Sequence, residues 1–266
     1  MKRPNWHEVT ALVTGASSGI GESVARLLAH QGIHVIAVAR RHEKLITLQD
    51  QVQSAGGNLS VYQCDLTLSA KREELFRSLT NDAIFPEVLI NNAGLAWYGY
   101  FHQMPTTIIN DIISLNIHAT SHLMRLFLPK MIENRFGRVI NIGSIAGKLP
   151  EQGIAVYSAS KAYLDAITTS TYRELRNTGV TASVLRAGPV KTEFFDRARQ
   201  LENGRSVPAE AFAISSQRVS RAVWSLVQRP RRFAYVPFYL MFSPLLETLF
   251  SGFIDLAGPL LLRKKK

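Results

Sequence analysis

The sequence has little cysteine, fewer acidic than basic residues and no long uninterrupted apolar run. Cys64 is the only cysteine among 266 residues, which excludes a disulfide within the chain and favours a reducing compartment. The short apolar run near the start of the chain stops at Gly15, so we expect no signal peptide. Both features predict a cytoplasmic protein.

Basic residues outnumber acidic ones by 31 to 20, and the formal net charge is +11. The segment from Arg229 to Lys266 holds seven Lys or Arg and two acids, so nearly half of this excess lies near the end of the chain. Nucleic-acid binding is not expected, because its footprint would spread the charge more widely. The concentrated charge favours contact with a membrane surface or a protein, and a solvated basic tail is the alternative.

The apolar segment that precedes the basic end of the chain is interrupted by prolines and two acids. Its longest uncharged run, Phe233–Leu246, is 14 residues long and contains two prolines, whereas a spanning helix needs about 20 apolar residues. The segment therefore either folds back over a site mouth or a subunit interface, or lies on a membrane with Arg263–Lys266 on anionic head groups. We favour peripheral membrane contact through residues 233–266, because the apolar and basic parts adjoin.

What the sequence does contain is an alternation of short β-branched runs with longer amphipathic ones. This pattern predicts an α/β domain, a doubly wound parallel sheet with helices on both faces, over residues 1–228, followed by an apolar and basic extension, 229–266. The predicted strands are Ala11–Thr14, His34–Ala39, Ser60–Cys64, Val88–Asn91, Arg138–Ile142 and Thr181–Arg186. The predicted helices are Gly19–Gln31, His42–Ala55, Ala70–Thr80, Thr106–Asn134 and Tyr157–Thr178.

A glycine-rich turn, Thr14–Gly21, follows the first predicted strand and opens the first predicted helix. Glycines there let the backbone approach a pyrophosphate, and the helix N-terminus presents free N–H groups and a partial positive charge to it. A tight turn without a ligand is the alternative. The cofactor contacts predicted in this turn are Gly15, Ser17, Ser18, Gly19, Ile20 and Gly21.

The second predicted strand ends in basic residues instead of an acid. An NAD site usually places Asp or Glu about 20 residues past the glycines, and this chain has Ala39, Arg40 and Arg41 there. A guanidinium group can pair with a 2′-phosphate, so Arg40 and Arg41 favour NADP(H) as the cofactor. A solvated basic helix start is the alternative.

Tyr157 and Lys161 are four residues apart and project from one face of a predicted helix. A phenol titrates near pH 10, and a neighbouring ammonium group would favour the phenolate and lower that pKa. Ser144 lies at a predicted strand end and could hydrogen-bond a reacting carbonyl oxygen.

These motifs together resemble the short-chain dehydrogenase/reductase family, of its single-domain, NADP(H)-preferring type with a Rossmann-like fold. The family pattern TGxxxGxG matches residues 14–21, NNAG matches residues 91–94, and YxxxK matches Tyr157 and Lys161. The order and spacing of the motifs agree across roughly residues 8–195. The family's strand-end Asp, helix Asn and active-site Ser correspond to Asp65, Asn116 and Ser144.

The resemblance implies a role for each matching residue. Tyr157 is the expected general acid in reduction and general base in oxidation, and Ser144 is expected to orient the carbonyl. Lys161 is expected to lower the tyrosine pKa and bind the nicotinamide ribose, and Asn116 to hold a water that relays protons. The further cofactor contacts that the resemblance implies are Asp65, Leu66, Asn92, Ala93, Gly94, Gly188, Val190 and Thr192.

Three features leave alternatives or depart from the family. Ala187 stands where the family pattern PGxxxT has proline, which loosens one backbone constraint but removes no chemical group. His118 and His122 have a spacing that can bind metal, but we interpret them as packing or surface residues and predict no metal. An aromatic substrate wall and core packing are equally compatible with Trp97, Tyr98, Tyr100 and Phe101.

The predicted function is NADP(H)-dependent interconversion of an alcohol with a ketone or aldehyde, most simply a hydrophobic small molecule. The alternatives are an NADP-binding sensor and a membrane-associated scaffold without turnover. The complete Ser144, Tyr157 and Lys161 set argues against a sensor. The resemblance also implies a homodimer or homotetramer, formed through the helices around residues 106–134 and 157–178.

Overall fold

A sheet of parallel strands forms the centre of the fold. The structure is a computed structural model, and it describes residues 5–205 and 212–261, with only the backbone for 257–261. The strands are β1 (Thr10–Thr14), β2 (His34–Ala39), β3 (Leu59–Gln63), β4 (Val88–Asn91), β5 (Gly137–Ser144), β6 (Val180–Ala187) and β7 (Phe233–Val236). They form one seven-stranded sheet in the order β3-β2-β1-β4-β5-β6-β7, and every neighbouring pair is parallel.

Helices connect these strands. They are α1 (Gly19–His30), α2 (His42–Ser54), α3 (Ser69–Asn81), α4 (Thr106–Ile112), α5 (Thr120–Glu133), α6 (Ala155–Glu174), α7 (Glu193–Gln200), α8 (Ser216–Gln228) and α9 (Ser243–Leu261). A π-helical segment, Ile113–Ala119, joins α4 to α5. The long helix predicted over 106–134 is therefore present but changes its hydrogen-bonding pattern in the middle.

The sheet buries both of its faces, which explains its nearly continuous apolar strands. In β1, Ala11 and Val13 point to one face, where they share an apolar cluster with residues of α1, α2 and α8. Leu12 points to the other face and packs with residues of α3 and α5. The predicted doubly wound α/β fold is confirmed.

The structure differs from the sequence prediction mainly after residue 187. α8 and β7 were not predicted, and β7 pairs with β6 from Val184–Phe233 to Ala187–Val236. β7 lies within 229–266, so the central sheet continues past the expected domain end at residue 228. The basic residues 263–266 lie outside the described part of the chain.

The chain leaves β7 through a short 3-10 helix, Phe238–Phe242, and enters α9. Many apolar side chains of this segment are exposed, and we call them the apolar C-terminal surface. Its most exposed members are Phe238, Tyr239, Leu249, Phe253 and Leu256, each at least 65% exposed. In the described residues, no helix has the length and hydropathy needed to cross a membrane.

Candidate active site

A cleft of about 510 Å³ opens at the carboxyl ends of the central strands. β1 has β2 on one side and β4 on the other, so the chain reverses its direction of travel across the sheet at this point. Ligands of open α/β sheets bind at such a reversal. All of the predicted cofactor contacts except Gly21 line this cleft, as do Ser144, Tyr157 and Lys161.

The glycine-rich turn lies at the floor of the cleft between β1 and α1. Gly15 and Gly19 adopt positive φ angles of 66° and 61°, which other residues rarely tolerate. No side chain caps the N-terminus of α1, so its first N–H groups remain available to an anion. Gly21 does not line the cleft, because it packs beneath the turn, where a Cβ atom would collide with the carbonyl oxygen of Gly15.

Thr14 and Asn92 hold this turn against the end of β4. The Thr14 hydroxyl accepts hydrogen bonds from the backbone N–H groups of Asn92 and Ala93 at 2.9 and 3.0 Å. The Asn92 side-chain amide donates to the carbonyl oxygen of Thr14 at 2.9 Å. Two motifs joined by hydrogen bonds between residues 78 positions apart therefore form one wall of the cleft.

The two arginines after β2 occupy different surroundings. Arg41 donates to the Ser17 hydroxyl at 3.0 Å and to the Ser18 hydroxyl at 2.8 Å, so the predicted phosphate-binding side chains do lie together. Its other terminal nitrogen donates to the Glu193 carboxylate at 2.8 Å. Arg40 is exposed at the cleft rim.

Asp65 follows β3 on the same side of the cleft. Its carboxylate accepts hydrogen bonds from the backbone N–H and the hydroxyl of Thr67 at 3.0 and 2.7 Å. Burial opposes ionisation of Asp65, but these hydrogen bonds and the Arg40 charge outweigh it and lower its pKa. The neighbouring Leu66 also lines the cleft. Asp65 is therefore a carboxylate acceptor at this rim, suited to an amine donor.

Ser144, Tyr157 and Lys161 meet on the opposite side of the cleft. Ser144 ends β5, and its hydroxyl is hydrogen-bonded to the Tyr157 phenol and accepts from the Ala146 N–H at 3.2 Å. The Lys161 ammonium lies 5.6 Å from the centre of the Tyr157 ring and donates to the carbonyl oxygen of Ile142 at 2.9 Å. The three side chains therefore line one side of the same cleft.

The acidity of Tyr157 differs from the sequence expectation. Burial raises its pKa to about 12, and the hydrogen bond with Ser144 offsets only part of that rise. Burial also lowers the pKa of Lys161 to about 8, with the Asp165 carboxylate acting in the opposite direction. A lowered tyrosine pKa was expected from Lys161, but desolvation dominates at both groups in this structure. Tyr157 therefore holds its proton at neutral pH.

Asn116 lies in the π-helical segment and does not line the cleft. Its side chain accepts from the Leu95 N–H at 2.9 Å, donates to the Leu95 carbonyl at 3.0 Å and donates to the Ser160 hydroxyl at 2.9 Å. A Cβ atom on Gly94 would lie 3.4 Å from the Asn116 side-chain oxygen and 3.7 Å from the Lys161 ammonium. Asn116 thus clamps the loop after β4 beside Lys161. π-Helical turns of this kind are frequent at functional sites.

The loop after β6 closes the nicotinamide side of the predicted site. The Gly188 N–H donates to the Val236 carbonyl at 2.8 Å, so β7 holds this loop in place. Thr192 caps α7 by accepting from the Phe194 N–H, and its hydroxyl also donates to the Val190 carbonyl at 3.3 Å. Ala187, in the place of the family proline, still pairs with Val236 in the sheet.

Aromatic side chains line the cleft near Tyr157. Tyr98 stacks on Phe195 with the ring centres 6.0 Å apart, and Phe194 lies 5.8 Å from the Tyr157 ring. Trp97 is instead buried, and its indole N–H donates to the Glu202 carbonyl at 2.9 Å. Of the four aromatic residues considered from the sequence, Tyr98 alone lines the cleft.

Two parts of the site were not foreseen. Phe194 and Phe195 form the apolar wall with Tyr98, and their only sequence signal is a pair of aromatic residues directly after Thr192. Glu193 meets Arg41 although 152 positions separate the two residues, which no local pattern reveals.

Of the two histidines, His122 makes contacts typical of packing, whereas His118 is exposed. His122 accepts a hydrogen bond from Arg72 at 3.0 Å and lies 3.9 Å from the Glu73 carboxylate. Within the described residues, no three His, Cys, Asp or Glu side chains are grouped as a metal site would require.

The family can now be assigned. The sequence profile described as short chain dehydrogenase matches residues 9–203. The NADP-dependent 3-hydroxy acid dehydrogenase YdfG of Escherichia coli (strain K12) is 35% identical over 217 residues, which cover 80% of this chain and 86% of that protein. This chain therefore belongs to the short-chain dehydrogenase family.

Two solved structures share the fold over nearly all of the chain. A short-chain dehydrogenase from Sphingobium yanoikuyae in complex with NADPH has a TM-score of 0.79 and 28% identity, covering 93% of this chain and 95% of that one. The bulky-bulky ketone specific alcohol dehydrogenase from Comamonas testosteroni has a TM-score of 0.77 and 25% identity, covering 94% of each chain.

Proposed function

We propose that this protein interconverts an alcohol and a hydrophobic ketone or aldehyde, with NADP(H) as the hydride carrier. The observation that carries the proposal is the meeting of Ser144, Tyr157 and Lys161 in the same cleft as the Arg41, Ser17 and Ser18 cluster. Membership of the short-chain dehydrogenase family supports it, as do relatives described as NADP-dependent or in complex with NADPH.

The residues present fit a dinucleotide with a 2′-phosphate. The absence of side chains at Gly15 and Gly19 and the uncapped N-terminus of α1 suit the pyrophosphate. Arg41, with the hydroxyls that it already contacts, suits the 2′-phosphate. Arg40, Asp65, Leu66 and residues 92–94 line the part of the cleft assigned to the adenosine, and Lys161, Gly188, Val190 and Thr192 the part assigned to the nicotinamide ribose.

The nicotinamide would supply or accept the hydride, and this chain's residues would move the proton. In reduction, the Tyr157 phenol donates its proton to the carbonyl oxygen, while Ser144 donates a hydrogen bond to the same oxygen. The raised pKa of Tyr157, about 12, keeps that proton available at neutral pH. In oxidation the phenolate accepts the proton from the alcohol, so that direction needs a more alkaline solution.

Lys161 and Asn116 act around Tyr157. The Lys161 ammonium stabilises the phenolate that forms when the proton leaves, and its carbonyl contact at Ile142 fixes its position. We propose that Asn116 positions a water molecule that returns the proton to Lys161. Its observed hydrogen bonds to Leu95 and Ser160 support a positioning role for its side chain.

The apolar wall favours a substrate with a large hydrophobic substituent. Tyr98, Phe194 and Phe195 face the cleft within reach of Tyr157. The similarity to an alcohol dehydrogenase described as specific for bulky-bulky ketones supports this class.

A direct test measures NADPH consumption with aryl and long-chain alkyl ketones, using the wild type and Tyr157→Phe. We expect wild-type turnover and a loss of at least 100-fold in the variant. Tyr163→Phe is the matched control, because Tyr163 lies on the same helix and is 37% exposed. Calorimetry with NADPH on both variants separates lost chemistry from lost binding. NADPH binding without turnover of any carbonyl would favour the sensor instead.

The apolar C-terminal surface supports a second proposal, binding to an anionic membrane surface. Its exposed apolar side chains adjoin, in sequence, the four basic residues 263–266, a combination typical of interfacial helices. The Gln152 side chain, which lines the cleft, donates to the Ile254 carbonyl of α9 at 3.4 Å, so this surface lies beside the cleft mouth. An apolar substrate could therefore enter from the membrane.

Vesicle sedimentation tests this contact. The wild type should sediment with vesicles that contain phosphatidylserine, and Leu249→Glu with Phe253→Glu should remain in the supernatant. Leu68→Glu is the control, since Leu68 is an exposed apolar residue elsewhere on the surface. Absence of wild-type sedimentation would refute membrane binding. A shift from dimer to monomer in the double variant would assign the surface to self-association.

We also propose that the protein is a homodimer or homotetramer built on α4, α5 and α6. Analytical ultracentrifugation of the wild type and of Ile132→Glu, on the exposed side of α5, tests this assembly. A wild-type monomer at micromolar concentration would refute it.

A further inference from the structure

Glu193 places a carboxylate inside the basic cluster at the end of the cleft. One oxygen accepts from Arg41 at 2.8 Å and from Arg197 at 2.7 Å, and the other accepts from Lys44 at 2.6 Å. The same Arg41 guanidinium binds Ser17 and Ser18 through its other nitrogens. Glu193 thus holds donors that form an anion site together with the glycine-rich turn.

Three cations keep this carboxylate charged. Hydrogen bonds from Lys44 and Arg41 lower the pKa of Glu193 to about 2 against the opposing effect of burial, and Arg197 adds a lesser lowering. The carboxylate is therefore an anion at neutral pH. Three donors around one oxyanion are also what a phosphate monoester requires.

We propose that Glu193 is an internal competitor of the 2′-phosphate of NADP(H), and that Lys44 and Arg197 bind this phosphate beside Arg41. This inference rests on the proposed use of the cleft by NADP(H). Under this proposal Glu193, Lys44 and Arg197 set the affinity for the cofactor and the preference for its phosphorylated form. No sequence motif singled out these three residues. NADH lacks the 2′-phosphate and does not compete with Glu193 for these cations.

The competition between Glu193 and the 2′-phosphate also affects the apolar wall, because α7 connects the two. Glu193 begins this helix, and the next two residues, Phe194 and Phe195, contact Tyr157 and Tyr98. When the phosphate takes the cations, the first turn of α7 loses its ion pairs to α2, which carries Lys44. Because linkage between two sites is reciprocal, the position of Phe194 and Phe195 depends on whether NADPH or NADH occupies the cleft.

Cofactor titrations of Glu193→Gln test the competition. At low ionic strength we expect NADPH to bind about three- to tenfold more tightly than to the wild type, because exposed ion pairs are worth only modest energies. NADH affinity should stay the same. Asp196→Asn is the matched control, since it removes one negative charge from the same helix but from a carboxylate paired with Arg199. It should leave both affinities unchanged.

Three results would overturn the competition. They are unchanged or weaker NADPH binding in Glu193→Gln, equal tightening for NADPH and NADH, and equal tightening in Asp196→Asn. The last would show a general charge effect.

A second pair of variants tests the phosphate contact of Lys44. In the Glu193→Gln background, Lys44→Gln should weaken NADPH binding by about three- to tenfold and leave NADH binding unchanged. Lys71→Gln is the control, because Lys71 is an exposed lysine paired with Glu74 on α3. An equal loss of NADPH affinity in both variants would refute the assignment of Lys44.

The outcomes separate this inference from the proposed function. If the wild type binds neither NADPH nor 2′,5′-ADP, the assignment of NADP(H) to the cleft fails and the inference fails with it. If the wild type prefers NADPH but Glu193→Gln does not sharpen that preference, the internal competition alone fails. Hydrogen exchange of residues 193–200 gives an independent readout, and NADPH should accelerate it relative to NADH.

Discussion

The Lys161 ammonium donates a 2.9 Å hydrogen bond to the carbonyl oxygen of Ile142 while only 6% of the residue is exposed. A buried ammonium is unfavourable for folding, and burial lowers the pKa of Lys161 from 10.5 to about 8. Below pH 8 the folded protein carries this penalty in full. Between pH 8 and 10.5 the unfolded chain binds more protons at this site, so the contribution of Lys161 to stability rises with pH.

Replacing Lys161 with Met should therefore stabilise the cofactor-free protein and abolish its activity. We expect a gain of about 1–3 kcal/mol in the free energy of unfolding at pH 7 and a smaller gain at pH 9.5. Urea denaturation at both values measures this difference, with Lys130→Met as an exposed-lysine control. A loss of stability at pH 7 would mean that the contacts of the ammonium outweigh its burial.

From the raised pKa of Tyr157 we expect different pH responses for the two directions of the reaction. Because burial raises its pKa to about 12, alcohol oxidation should accelerate as the pH rises from 6 to 8, the range in which Lys161, with a pKa of about 8, keeps the charge that stabilises the phenolate. Carbonyl reduction should not need alkaline solution. The profile of kcat/KM against pH, which reports groups of the free enzyme, measures this response.

Ser144 provides the control for that assignment. Its hydrogen bond lowers the pKa of Tyr157, so Ser144→Ala should shift the rising limb of the oxidation profile to higher pH, besides reducing the rate by about 100-fold. A reduced rate with an unmoved limb would mean that the limb belongs to another group.

Arg186 and Asp165 form a buried ion pair beneath the active site. The guanidinium donates to the carboxylate at 2.7 Å, and neither side chain is more than 7% exposed. Arg186→Met should lower the free energy of unfolding by about 3–5 kcal/mol, because it removes the closest ion-pair partner of a buried carboxylate and leaves Lys148 3.6 Å away. Thermal and urea unfolding give this loss.

The double variant Arg186→Met with Asp165→Asn should recover most of the lost stability, since it removes both charges. Recovery identifies the unpaired charge as the cause. If the double variant is no more stable than Arg186→Met, the loss comes instead from the contacts of Arg186 with Phe233 and Tyr235 of β7.

The first six strands could be predicted because their signals are local. Each is a short apolar run that ends near a glycine or a polar turn, and the observed bounds differ from the predicted ones by at most two residues. The helix α8 also has a local signal, since Val219, Val223, Leu226 and Val227 share one buried face at helical spacing. The sequence prediction nevertheless contained no helix after Thr178.

Other features depend on contacts that no window of the sequence contains. β7 has an aromatic sequence like that of the exposed segment after it, and only its pairing with β6, about 50 residues earlier, makes it a strand of the sheet. The π-helical turn holds Asn116, whose side chain bonds to Leu95 and to Ser160, and both partners are distant along the chain. The motifs singled out side chains that line one cleft, but they did not reveal the burial that raises the pKa of Tyr157.

Gly21 offers the sharpest test of how the glycine-rich turn works. A Cβ atom there would collide with the Gly15 carbonyl and lie within 2.5 Å of the Asn92 amide, so Gly21→Ala should shift the turn itself. We expect weaker NADPH binding, by about tenfold or more, together with a lower melting temperature without cofactor. Gly252→Ala is the control, because no atom lies within 4 Å of its added methyl group and Ala favours a helix. Weaker binding with an unchanged melting temperature would instead place Gly21 in contact with the cofactor, as the sequence alone had predicted.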